Sequence, residues 1–70
     1  MTFYKWSINR YKGQNNPRGD LASDMEIDTD FPKKGGYRAI RKHLEKMGAC
    51  EGCLDAFEHA WKEFLANGRA

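Results

Sequence analysis

Apolar residues recur at steps of three and four along most of this chain, and no stretch alternates in the manner of a half-buried strand. The clearest run is residues 37–47, YRAIRKHLEKM, where Tyr37, Ile40, Leu44 and Met47 fall on one helical stripe. Gly48 follows as a good left-handed terminator, so the spacing predicts a helix that stops there. Upstream, Thr2 is a suitable N-cap for a helix over residues 3–12. Phe3, Ser7 and Tyr11 share a face of that helix, with Trp6 at its edge and Ile8 off it. Residues 13–16 read as a loop. Pro17 suits the first turn of a second helix running from Pro17 or Arg18 to about Asp28, with Asp20 as a competing N-cap. Leu21 and Met25 are its inward pair, and Ala22 allows close approach.

Residues 29–36, TDFPKKGG, break the helical pattern. Pro32 pushes Phe31 toward an extended backbone, and so large an apolar residue in a loop is expected to plug the core. A last helix begins within residues 50–53 and runs to about Ala66, ending at Asn67 and Gly68. Leu54, Phe57, Trp61 and Phe64, with Leu65, mark its buried stripe. The pattern therefore predicts an all-α fold, one domain over residues 1–70, with four short helices packed orthogonally as a bundle. Its expected core is Phe3, Trp6, Tyr11, Leu21, Met25, Phe31, Tyr37, Ile40, Leu44, Leu54, Phe57, Trp61 and Phe64.

Composition adds two points. Two Trp, three Tyr and four Phe in 70 residues supply the large apolar groups that a disordered chain lacks. A chain this short still buries only ~60% of the surface it exposes when unfolded, so modest stability is expected. No apolar run approaches the ~20 residues needed to cross a bilayer. Lys5 and Arg10 interrupt any leader-like stretch, and two cysteines make no disulfide framework. A cytoplasmic location and no membrane partner are the expectation.

Charge changes the picture more than composition does. The net charge is +2, but it is laid down in blocks. Residues 1–18 carry four bases and no acid, and residues 20–30 carry Asp20, Asp24, Glu26, Asp28 and Asp30 with no base. Lys33, Lys34, Arg38, Arg41, Lys42 and Lys46 follow, set against Glu45 alone. The second helix thus offers an acidic surface. The third helix, with the Lys33–Lys34 loop before it, offers a basic one.

The order of these features resembles the YozE SAM-like family of small bacterial proteins. The residues that carry the resemblance are Phe3 and Trp6, residues 19–22 (Gly-Asp-Leu-Ala), Phe31-Pro32, Ile40 and Leu44 four apart, and Phe57 and Trp61 four apart. The resemblance implies a small four-helix bundle similar to sterile alpha motif domains, and it carries across no catalytic residue. Ser7 departs from the pattern, standing where an aliphatic residue is usual, and is expected to thin the contact of the first helix. The first loop is longer than in some members.

No constellation of residues points to catalysis. Cys50 and Cys53 form a lone C-x-x-C without the βαβ setting in which such a motif does redox work. A zinc site would need His43 and His59 as well, yet His59 lies ~120° around its helix from Cys53. Cys53 is read as a small core residue, Cys50 as a turn residue, and both histidines as exposed or half-exposed. The acids lack the glycine and closing glutamate of an EF-hand loop. The aromatic residues are read as core and not as a stacking platform. No enzyme activity, cofactor, metal or small-molecule substrate is expected.

Two binding functions remain. One is a protein-interaction module, in which acidic and basic surfaces of different copies, or of this chain and another protein, meet. The alternative is nucleic-acid binding through the basic face of the third helix and the Lys33–Lys34 loop.

Overall fold

The computed structural model describes residues 1–68. Four α-helices follow one another: α1 (Phe3–Tyr11), α2 (Pro17–Ile27), α3 (Tyr37–Lys46) and α4 (Glu51–Glu63). The backbone of α4 then continues as one wide π-helical turn, Phe64–Gly68. No strand is present among the described residues.

The helix ends have local causes. Thr2 Oγ1 accepts the amide of Lys5 at 3.2 Å and starts α1. Asn16, and not Asp20, caps α2: its Oδ1 accepts the amide of Gly19 at 2.9 Å, with Pro17 in the first helical position. Asp20 instead lies in the first turn, where a carboxylate favours the helix dipole. At the end of α3, Gly48 takes a φ of 77°. Its amide bonds to the carbonyl of Glu45, and that of Ala49 bonds back to Leu44. This pair is the Schellman closure, which needs a left-handed residue at its turn.

Packing is organised by α4, which contacts both α2 and α3, while its π turn closes onto α1. Phe3 of α1 sits in the middle of an aromatic cluster. Phe57 and Phe64 meet it edge-on at 5.5 and 5.6 Å, and Trp61 lies at 5.1 Å. Phe31 is buried from its loop as expected, between the rings of Tyr4 and His43. Ten of the thirteen expected core residues are buried, and α4 adds Ala56 and Ala60. Leu54 and Trp61 are only half-buried, at the margin of the same cluster.

The ends of the α3 stripe depart from expectation. Ile40 and Leu44 are buried, but Tyr37 is 38% and Met47 60% exposed. Periodicity puts all four on one face, but it does not report how much of each side chain a neighbour covers. Tyr37 still stacks on Phe57 at 5.4 Å, with its hydroxyl turned outward. The last turn of the chain also differs. The pattern expected an α-helix to about Ala66, whereas the turn from Phe64 is wider and returns Phe64 to within 5.4 Å of the Trp6 ring.

Ser7 is 1% exposed inside this packing, and its hydroxyl has no hydrogen-bond partner. A buried, unpaired hydroxyl costs ~1–3 kcal/mol. Ser7→Ala removes it without adding volume and is expected to raise stability by about 1 kcal/mol. Urea denaturation measures this, and a destabilised variant would show that the hydroxyl has a role in the fold.

Candidate functional site

The two charged surfaces are built by two helices that both pack on α4. On α2, Asp20, Asp24 and Asp28 are spaced by four, so they form one row along the helix. On α3, Arg38, Lys42 and Lys46 form a second row with the same spacing, opposite Ile40 and Leu44. All three bases of that row are exposed, as are Lys33 and Lys34 in the preceding loop. Lys33 places its ammonium 5.7 Å from the centre of the Tyr4 ring, so part of its charge is spent on an aromatic face.

Arg41 leaves the basic face. Its Nη1 donates to Glu58 Oε2 at 2.5 Å and its Nε to Glu45 Oε2 at 3.1 Å. The hydroxyl of Tyr37 donates to the same Glu58 oxygen at 2.5 Å. Glu58 therefore joins two α3 side chains to α4. The Tyr37 hydrogen bond and then Arg41 hold its carboxyl below the usual range, while the hydrogen bonds to Glu58 and then Glu45 push the Arg41 guanidinium further toward permanent charge. Arg41 is thus a fastening between helices and is not available to a ligand in this arrangement.

The acidic surface divides in the same way. Glu26 pairs with Lys12 at 2.7 Å. Asp28 Oδ2 meets His43 Nε2 at 2.7 Å, and its other oxygen accepts the amide of Asp30. The His43 contact, followed by that amide, keeps the Asp28 carboxyl below its ordinary value. His43 is half-buried as a result, clasped between Asp28 and the Phe31 ring. Asp20, Asp24 and Asp30 are exposed, and none makes an ion pair among the described residues. None of the five acids pairs with any of the six bases of the opposing surface among those residues.

A third fastening joins α1 to α4. The Tyr11 hydroxyl donates to Glu63 and ties the end of α1 to the end of α4. Burial, and then the Glu63 carboxylate, push the Tyr11 phenol up to about 12.

The cysteines lie beside the acidic row. Cys50 is exposed at the N-cap of α4, and Cys53 is half-buried one turn on, against the core. Burial, the neighbouring Cys50 and Asp24 all raise the Cys53 thiol, which makes it a poor nucleophile. His43 is engaged by Asp28, His59 is exposed, and no group of three or more potential metal ligands assembles among the described residues. No helix is long and apolar enough to cross a membrane.

One feature escaped the sequence pattern. A groove of about 480 Å³ opens between α2, the end of α3 and the start of α4. Leu21, Met25 and Leu44 reach it from the core, and Ile27 and Met47 stand on its rim, 77% and 60% exposed. Ile27 lies off the Leu21–Met25 face, which is the one trace of its exposure in the sequence.

Comparison with known proteins places this arrangement in a lineage. The family model for the YozE SAM-like fold matches residues 2–66. A UPF0346 protein of Oenococcus oeni is 30% identical over 67 residues, covering 93% of this chain and 88% of the relative. No solved structure matches significantly. Neither of those names states an activity. The family match spans all four helices and includes both charged surfaces, and the chain therefore belongs to the YozE SAM-like family.

Proposed function

We propose that this protein is a non-enzymatic interaction module, which recognises protein through an acidic surface on α2 and a basic surface on α3. The observation that carries this reading is the lack of cancellation between the two. Had the acids of α2 been paired with the bases of α3, each surface would be neutral to a partner. Instead Asp20, Asp24 and Asp30 on one side, and Arg38, Lys42 and Lys46 on the other, are exposed without an ion pair among the described residues. Complementary patches left unpaired within one molecule favour a head-to-tail contact between copies, and equally a contact with another protein. Nucleic-acid binding has less support. Arg41, central to the basic face, is held by Glu58 and Glu45, and most of the large aromatic rings pack in or against the core and offer no platform for stacking on bases.

Sedimentation at low and high salt tests the copy-to-copy form. Wild type is expected to associate weakly at low salt and to become monomeric at high salt, because rim charges are screened. Asp20→Lys/Asp24→Lys and Arg38→Glu/Lys42→Glu should each abolish association. Mixing the two variants should restore association, because every contact between unlike copies again joins an acidic face to a basic one. A wild type that stays monomeric at high concentration and low salt removes self-association from the proposal.

A further inference from the structure

The groove beside α2 is not an isolated depression. A second depression, of about 310 Å³, shares Leu21, Asp24, Cys50 and Cys53 with it and extends it toward Asp20 and Pro17. Together they form a channel along α2 with an apolar floor and one acidic wall. We infer that this channel takes a basic amphipathic helix from a partner protein, with apolar side chains on the floor and Lys or Arg on Asp20 and Asp24. The inference rests on the interaction-module reading and names the partner chemistry for one of its surfaces.

Three observations select that occupant. First, the floor and rim are apolar and adaptable: Ile27 and Met47 are large side chains left in water on opposite sides, and thioethers reshape readily around a ligand. Exposed apolar groups flanking a groove mark an interaction site more than isolated ones do. Second, the charge is one-sided. Asp20 and Asp24 line the channel, while no Lys or Arg does. An acidic wall favours cationic partners and disfavours acidic ones. Third, the wall has helical spacing. Carboxylates four residues apart are separated by ~6 Å along the axis, the separation of two bases four apart on a partner helix. A second copy of this chain does not fit so well. Its α3 row supplies the bases, but that outward face carries only Ala39 between them, and Met47 is already on the rim of its own groove.

The test is a selection with the full chain carrying Arg38→Glu/Lys42→Glu as bait, so that copies cannot join through the basic row. The probe is a random phage-displayed peptide library of roughly 16 residues, about four helical turns. Enriched peptides are expected to carry apolar residues at steps of three and four and bases four apart. Synthesised, they should bind at least about tenfold more weakly when Ile27→Glu/Met47→Glu is added, and more weakly again with Asp20→Lys/Asp24→Lys. Bound peptide should also slow alkylation of Cys50 by iodoacetamide, a readout that needs no variant. Circular dichroism of each variant is the control, and unchanged helix content is the expected result.

Absence of enrichment, equal binding to the Ile27→Glu/Met47→Glu chain, or enriched peptides without bases would overturn the inference. So would wild-type self-association that Ile27→Glu alone abolishes, because that outcome assigns the groove to a second copy. The two readings separate cleanly. Loss of salt-sensitive association with groove selection intact refutes the copy-to-copy contact only. The reverse result refutes the groove only.

Discussion

Phe57→Ala is expected to cost about 3–5 kcal/mol, comparable with the whole stability of a domain this small, and to leave a largely unfolded chain. Phe57 is fully buried and touches three elements at once. Its ring meets Phe3 of α1 edge-on at 5.5 Å, stacks on Tyr37 of α3 at 5.4 Å, and lies 6.1 Å from Trp61 on its own helix. Removing it loses the transfer energy of a phenyl ring and leaves a cavity between helices that have few other contacts to hold them. α3 is the most exposed to this loss, because α4 is its main neighbour and it has no comparable contact with α1 or α2. The Tyr37–Glu58–Arg41 fastening does not compensate, since Glu58 and Arg41 are about one-third exposed and solvent screens such pairs. Urea denaturation followed by far-ultraviolet circular dichroism measures the effect. A loss below ~1 kcal/mol would mean that the aromatic cluster is not the centre of the fold.

How far the sequence announced this arrangement depends on the range of the interaction concerned. Helix starts and stops were legible where their cause is local. Thr2, Pro17 and Gly48 each act within four residues, and each lies within a residue or so of the end it marks. Asn16 was hidden because asparagine is equally at home in a loop, and only the approach of the Gly19 amide turns it into a cap. Tyr37 and Met47 show the limit of periodicity. It reports which face of a helix is apolar, but not how far the neighbour extends along it.

The charged surfaces were legible as rows, because i, i+4 spacing is written in the chain. Their partners were not. Arg41 is taken out of its row by Glu58, 17 residues away, Asp28 by His43, 15 residues away, and Glu26 by Lys12. No local signal records such pairings, since they exist only after α1, α2, α3 and α4 have docked. The groove is a still more distant consequence. It is the space left where α2, the end of α3 and the start of α4 converge, and concavity belongs to the packing and to no segment within it. The glycine that opens residues 19–22 carries the resemblance as a letter in a pattern, and only the packing shows why it is a glycine.

Gly19→Ala is expected to destabilise the fold by about 2–4 kcal/mol, although glycine to alanine inside a helix normally adds ~1 kcal/mol of stability. The reason is backbone against backbone. A Cβ at Gly19 would stand 2.0 Å from the carbonyl oxygen of Gln14 and 2.8 Å from its carbon, so the loop must move. That loop is tied at several points. The Gln14 amide bonds to the Tyr11 carbonyl at 2.9 Å, and its side chain donates to the Arg10 carbonyl and accepts from Asn16. Asn16 in turn holds the Gly19 amide. Displacing Gln14 therefore strains the α1–α2 connection and disturbs the cap of α2, combining an overpacking cost of ~1–3 kcal/mol with part of a cap worth ~0.5–2 kcal/mol. Gly52 is the control. It lies in the first turn of α4, where a Cβ would meet only Cys50 Sγ at 4.0 Å. Gly52→Ala should stabilise by roughly 0.4–1 kcal/mol, by restricting the unfolded chain. Urea midpoints of the two variants are thus expected to move in opposite directions. If both rise, the Gln14 carbonyl does not lie over Gly19 in solution, and the glycine in this segment is there for another reason.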